Sequence, residues 1–191
     1  PYVYQGEEIA MTNPHFKNIN EYKDVEALNN YKLLLEKGKT IDEAIEILGQ
    51  KSRDNSRTPV QWNNNENAGF TVGTPWIGVA KNYSTINVES NLKDEESVFY
   101  HYKKLIELRR EYKVISHGDF IPMYEENSQV FGYMRKFEAE KLLVINNFYE
   151  NEVEVEIPDE FIGKDILVKN YNDILLNGKK IKLRAYESVV I

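Results

Sequence analysis

The sequence contains no cysteine, which excludes disulfide scaffolds, thiol nucleophiles and cysteine-ligated zinc. That absence fits a reducing cytosol, and a cytoplasmic protein is the expectation. Basic runs and arginine stripes are missing too, and the formal net charge is −7. Such a surface suits neither nucleic acid nor an anionic membrane, so neither is expected as a partner. No apolar run approaches the length that spans a bilayer, and no signal peptide is read at the start. The histidines, His15, His101 and His117, lack the i, i+4 spacing of metal ligands. Neither a Gly-x-Ser-x-Gly nucleophile signature nor a phosphate-cradling glycine loop occurs, and no cofactor is expected.

What is present suits a chain of one domain or two small ones, since 191 residues can bury a sizeable core. Thirteen tyrosines favour half-exposed polar-aromatic surfaces of the kind that meet sugars or peptides. The first residue is Pro1, followed at once by the strand-like "YVY". That start resembles a cut through a larger protein.

Apolar periodicity divides the chain into a helical part and a strand-rich part. "PYVYQG" reads as a short buried strand ending at Gly6. A helix is predicted from about Asn20, as its cap, to Lys37, with Gly38 as the stop. "TIDEAIEILGQ" opens with a capping box, Thr40 to Glu43, and Ile41, Ala44, Ile45 and Leu48 form one apolar stripe. Pro59 disfavours helical geometry at Thr58, so any helix ends near Arg57. A long polar and aromatic loop then runs to about Asn91. The clearest helix covers roughly Glu95 to Tyr112, with Val98, Tyr102, Leu105, Ile106 and Tyr112 on one face. Beyond Ser116 to Gly118 the period becomes alternating. "DFIPMY", "QVFGYMRKF", "KLLVINNF", "EVEVEI", "DILVKN", "KIKLR" and "ESVVI" predict seven short strands in an antiparallel sandwich. The domain boundary is expected at 115/116, giving domains 1–115 and 116–191.

Three places could carry chemistry. Glu7 and Glu8 are adjacent, and neighbours on an extended chain point to opposite sides. A carboxylate pair for glycoside hydrolysis flanks its bond across about 5 to 9 Å, so one of the two is expected in a buried network and the other in solvent. In "RDNSR", Arg53 and Arg57 share a face at i, i+4 if the helix persists. An arginine fork suits sugar hydroxyl pairs or a carboxylate, and also suits a loop pinned to its own domain. Trp62 offers a flat face for a sugar ring. The segment "QKSRDNSRTPVQWNNNENAGFTVGTPW", Gln50 to Trp76, lacks periodicity, and long irregular segments of this kind tend to be functional.

The segments "PYVYQGEEIAMTN", "INEYKDVEALNNYK", "SRDNSRTPVQW", "NAGFTVGTPWI", "INVE" and "FYHYKKLIELRREY" occur in that order. Together they resemble the C-terminal third of an alpha-glucosidase of the oligo-1,6-glucosidase type, in the alpha-amylase family of glycoside hydrolases. Trehalose-6-phosphate hydrolases, dextran glucosidases and sucrose isomerases share these motifs. The resemblance covers the whole chain and is most specific up to Tyr112. It implies an α+β fragment: the last β/α unit of a (β/α)8 barrel with a helical insertion, followed by an antiparallel β-sandwich domain. "PYVYQG" would be the eighth strand, and the Gln50 to Trp76 loop would wall the sugar pocket at the strands' C-terminal ends. It further implies a retaining mechanism whose aspartate nucleophile and glutamate acid/base both precede Pro1, so that no catalytic residue lies in this chain. Arg57 matches an arginine that contacts the terminal glucose and pairs with an aspartate from an early barrel loop. Glu26 is similar to a glutamate at the neighbouring subsite, and Arg53 joins them as a substrate-binding residue. Ala10 stands where glycine is usual. The expected partner is a small oligosaccharide, and the fragment alone is expected to be inactive and to self-associate through its exposed barrel surface. The rival reading is a stand-alone carbohydrate-binding or structural sandwich module.

Overall fold

Caps written in the sequence set the two long helices of the N-terminal part. The computed structural model describes residues 2–191. In it Asp24, rather than Asn20, starts α1 (Val25–Glu36) by accepting a hydrogen bond from the Glu26 amide. Asn18 caps a separate 3-10 turn, Ile19–Glu21, whose Glu21 closes a capping box. Both capping residues carry short acceptor side chains, so periodicity alone merged the two elements. Gly38, at φ +83°, stops α1. The box at α2 (Ile41–Lys51) is as predicted: Thr40 Oγ1 accepts from the Glu43 amide at 3.2 Å and Glu43 Oε2 from the Thr40 amide at 2.9 Å. Ala44, Ile45 and Leu48 are buried, but Ile41 is 62% exposed. As the first helical residue it leans toward the helix N-terminus, away from the packed face. Phe16, Tyr22, Ala27, Ile45, Leu48 and Ile77 make one core, with Phe16 and Tyr22 edge-to-face at 5.4 Å.

The strand expected in "PYVYQG" does not form. Pro1 lies outside the described residues; Tyr2 is fully exposed and Val3 and Tyr4 about half exposed. A strand needs neighbours for its ladder, and residues 2–105 contain no other strand. The chain turns instead at Gly6, whose carbonyl accepts from Met11 N at 2.9 Å. Ala10, at φ +58°, completes that turn in the left-handed region.

Past α2 the helix does not persist to Arg57. Ser52 is extended (φ −65°, ψ 140°) and caps a 3-10 turn, Arg53–Ser56. The long loop holds two further 3-10 turns, Glu66–Gly69 and Lys81–Ser84, and a short helix α3 (Val88–Lys93) capped by Asn87. Fewer than two turns of helix leave no readable period, which is why α3 went unpredicted. The predicted third helix is α4 (Val98–Glu111), with none of its residues buried and Val98, Leu105 and Ile106 all more than a third exposed. The structure divides into two compact units, Pro1–Leu105 and Ile106–Ile191, and α4 carries the chain from one into the other.

The second unit starts with the end of α4 and a short helix α5 (Lys113–His117). Eight strands follow: β1 (Asp119–Met123), β2 (Val130–Phe137), β3 (Glu140–Asn147), β4 (Val153–Glu156), β5 (Val168–Lys169), β6 (Leu175–Asn177), β7 (Lys180–Leu183) and β8 (Ser188–Val190). They form two antiparallel sheets, β1-β2-β3-β8-β5 and β4-β7-β6. Alternation fixes the register, since a one-residue slip would turn the apolar side outward. Leu143, Ile145 and Val189 from the larger sheet meet Val155, Ile181 and Leu183 from the smaller in one core. Seven strands were expected; the eighth, β6, has no fully buried residue and carries no alternating burial signal. The "DILVKN" segment shrinks to the two residues of β5. Gly132, inside β2, is required sterically, because a Cβ there would lie 2.4 Å from the Tyr124 ring. Tyr124 Oη donates to the Glu156 carbonyl at 2.9 Å, and burial pushes its phenol up to about 12. Near the C-terminus, the wholly buried Glu187 accepts from Arg184 Nε at 2.8 Å and Nη2 at 2.9 Å.

Candidate functional site

Residues far apart in sequence meet where α1 begins and the Arg53–Ser56 turn follows α2. Asp24 faces this junction as the α1 cap, its side chain only 6% exposed. Arg53 grips it with two parallel hydrogen bonds, Nε to Oδ2 at 2.6 Å and Nη2 to Oδ1 at 2.8 Å. Paired donors on a carboxylate form the strongest and most directional ion pair available to side chains. Arg53 Nη2 also reaches Glu26 Oε2 at 3.1 Å. Arg57 Nη1 lies 3.4 Å from Asp24 Oδ2 and 3.6 Å from Asp54 Oδ1. Asp54 is wholly buried, and its Oδ2 accepts from the Lys23 amide at 2.7 Å and the Asp24 amide at 2.8 Å.

Arg53, Arg57 and Glu26, the three site residues named from the sequence, therefore stand together. The route differs from the expected helical face: a 3-10 turn, not an α-helix, brings both arginines to Asp24. Asp24 and Asp54, which organise the cluster, went unnoticed. An aspartate directly before an apolar-periodic segment is a helix-start signal and could have found Asp24. Nothing local separates Asp54 from a surface aspartate, because its burial comes from contacts thirty residues away. Arg53's hydrogen bonds, ahead of the opposing effect of burial, hold the Asp24 carboxyl below its usual range. The same bonds raise Arg53. The Asp24–Arg53 pair thus stays ionised near neutrality, and guanidinium donors beside carboxylate acceptors are groups of the kind that read sugar hydroxyls.

Beside it, a cavity of about 240 Å³ between α1 and α2 is walled by Glu26, Arg53, Asn30 and Lys51 over an apolar floor of Leu34 and Leu48. The loop that follows is braced through its backbone. Trp62 N and Asn63 N both donate to the Ala68 carbonyl, and the Gln61 and Trp62 carbonyls accept from Val88 and Glu89. Asn67, Ala68 and Gly69 are successive left-handed residues, and a Cβ on Gly69 would fall 2.4 Å from the Asn63 side chain. This frame leaves Trp62, Phe70 and Trp76 at least half exposed, flat faces against which a sugar ring can lie.

The other chemical candidates stand apart. Neither Glu7 nor Glu8 enters a buried network: each accepts one local amide hydrogen bond, from Tyr4 at 3.1 Å and Gly6 at 2.8 Å. Glu7 is exposed and Glu8 half-buried. His15 lines a separate cavity of about 460 Å³ with Asp42 and Glu46. Among the described residues no group of three or more His, Asp or Glu could hold a metal ion.

Comparison with known proteins bears on what such a cluster serves. Residues 1–118 match the family model for the alpha amylase catalytic domain, and residues 130–190 that for the alpha-amylase SusG C-terminal domain. Trehalose-6-phosphate hydrolase of Bacillus subtilis (strain 168) is 49% identical over 193 residues, covering 100% of this chain and 34% of that protein. Oligo-1,6-glucosidase of Bacillus cereus is 44% identical over 195 residues, covering 100% and 35%. The crystal structure of Bacillus licheniformis trehalose-6-phosphate hydrolase matches with a TM-score of 0.93 at 52% identity, over 100% of this chain and 35% of that one. The chain spans about a third of the length of these relatives.

Proposed function

The chain belongs to the alpha-amylase family, and from that premise we propose that it works as the C-terminal third of a retaining alpha-glucosidase. The complete enzyme would release glucose from short alpha-linked oligosaccharides by double displacement. The observation that carries this reading is the meeting of Arg53 and Arg57 on Asp24, with Glu26 held on Arg53, beside a cavity that Asp24, Glu26 and Arg53 line. Arg57 donates to hydroxyls of the terminal glucose, and Glu26, 63% exposed, accepts from hydroxyls of the neighbouring unit. Arg53 fixes the Glu26 carboxylate while its exposed edge faces the same sugar. The family's nucleophile and proton donor come from the preceding barrel loops, so this chain binds and orients without breaking the bond. The enzyme acts in the cytoplasm, in carbohydrate metabolism, and uses neither nucleic acid nor membrane. Alone, the chain self-associates through Val98, Leu105, Ile106 and the exposed Tyr2 to Tyr4 segment.

The test is glucose release from isomaltose and p-nitrophenyl glucoside. The protein with its complete barrel turns both over, whereas the chain by itself releases nothing above an inactive-protein control. Activity of the isolated chain would overturn the assignment of roles. A binding-module reading draws on one observation, the row of neighbouring rings Phe120, Tyr133, Phe131 and Phe148 on the outer side of the large sheet, three of them at least half exposed. Millimolar or tighter binding of isomaltose to the isolated chain, lost in Phe131→Ala, would favour it.

A further inference from the structure

Asp54 is the only fully buried carboxylate of the first unit among the described residues, and its two oxygens do different things. Oδ2 accepts the consecutive amides of Lys23 and Asp24, which fixes the backbone carrying the α1 cap. Oδ1 is buried and accepts no hydrogen bond among the described residues; its facing group is Arg57 Nη1 at 3.6 Å. Burying an acceptor without a donor is unfavourable, and burying a carboxylate without a counter-charge more so. A purely structural clasp of two amides needs only one oxygen, which asparagine also supplies, through weaker hydrogen bonds. The second oxygen, and the negative charge, have Arg57 as their counterpart. Asp24 completes the seat: its Oδ2 is 3.4 Å from the same Arg57 nitrogen, and Asp54 holds Asp24 in place.

We infer that Asp54 is the positioning residue of Arg57, setting the guanidinium on a two-carboxylate seat so that its remaining donors face the sugar. The inference rests on the sugar-contact reading of Arg57. It makes the aspartate in "RDNSR" a determinant of activity although it touches no substrate. Because Asp54 acts through Arg57, its removal matters only while Arg57 is present.

A mutant cycle in the enzyme with its complete barrel tests this, using Asp54→Asn, Arg57→Ala and the double variant, with kcat and KM measured separately on isomaltose. Asp54→Asn is expected to lower kcat/KM on the order of 10²-fold, the effect of misplacing a binding group by about 1 Å. In the Arg57→Ala background the same change should cost less than about twofold. Equal losses in both backgrounds would overturn the inference, leaving Asp54 as a structural clasp. An Arg57→Ala variant with normal kcat/KM would instead overturn the sugar-contact reading. If Asp54→Asn does not fold, side-chain NMR relaxation on the unsubstituted protein decides. Arg57 Nε should be as ordered as the backbone, whereas mobility equal to that of the exposed Arg109 would show that Asp54 does not hold it.

Discussion

The two units solve the problem of burial in opposite ways. In the second, both sheets contribute to one apolar cluster of ten buried residues, and no buried side-chain polar atom lacks a hydrogen bond among the described residues. The first unit is longer, yet its main cluster holds six buried residues. All five buried polar atoms without hydrogen bonds lie there, on Tyr22, Asp54, Asn55, Gln61 and Asn82. It also exposes Trp62, Phe70, Val72, Trp76, and Val98 and Leu105 of α4. A sandwich closes on itself because each sheet covers the other's apolar face. The first unit's helices and loops instead keep charged and aromatic groups available, at the expense of packing. The contrast marks where apolar burial is concentrated and where polar groups are left without partners.

Substitutions should separate these roles. The largest effect belongs to Arg57→Ala in the enzyme with its complete barrel: kcat/KM on isomaltose falls about 10²- to 10³-fold, the range for losing one preorganised donor. The melting temperature is expected to fall as well, because the buried Asp54 carboxyl loses its facing guanidinium, so the activity is compared per folded molecule. Loss of folding with normal activity per folded molecule would assign Arg57 to the scaffold and erase the contrast.

Next in size is the core of the second unit. Leu143 is wholly buried and Leu105 is 39% exposed. Leu143→Ala should cost about 4 kcal/mol through lost transfer energy and a residual cavity, whereas Leu105→Ala should cost less than about 1 kcal/mol in chain diluted until it no longer associates. Urea unfolding read by far-UV circular dichroism measures both. Comparable losses at higher concentration would mean that α4 is covered in solution, as the proposed self-association requires, and dilution should then reduce the Leu105→Ala penalty.

Glu187 sharpens the comparison through pH. Burial opposes its ionisation, but the hydrogen bonds and charge of Arg184 prevail and lower its pKa from the ordinary 4.5. A depressed folded pKa contributes stability that is complete above the unfolded value and is lost as pH falls through the folded one. The second unit should therefore weaken below about pH 4.5. Glu187→Gln should remove that part of the acid sensitivity while costing about 3 kcal/mol near neutrality, as for breaking a buried pair. Unfolding titrations at about pH 7 and about pH 3 check the sign; an unchanged pH slope in the variant would show that other carboxylates dominate.

The smallest effect concerns backbone strain in the first unit. Ala10 occupies the left-handed region at φ +58°, which costs a side-chain-bearing residue about 1 kcal/mol relative to glycine. Ala10→Gly should raise stability by about that amount, less the greater freedom glycine gains when unfolded. A loss on denaturant titration would show that the methyl group's contacts outweigh the strain.

Composition and pattern alone determined much of this protein. Alternation specified the strands of the second unit because each buries one side, so a two-residue period is written into the chain; β6 escaped because its three residues share one level of exposure and carry no alternation. The Thr40–Glu43 box placed α2 because its donors and acceptors are three residues apart. Ordered motifs identified the family and singled out Arg53, Arg57 and Glu26. What the tertiary structure alone decided is how those three are held. Asp24, tied to Asp54 through its amide, draws both arginines to the start of α1 across about thirty residues of chain, and no local period records such a pairing. The N-terminal segment makes the same point in reverse: "YVY" has the propensity of a strand, but a ladder needs a neighbour supplied by tertiary context. Short-range hydrogen bonds and burial periods are encoded locally, whereas the electrostatics of the cluster exist only once distant carboxylates have been carried out of water to the same place.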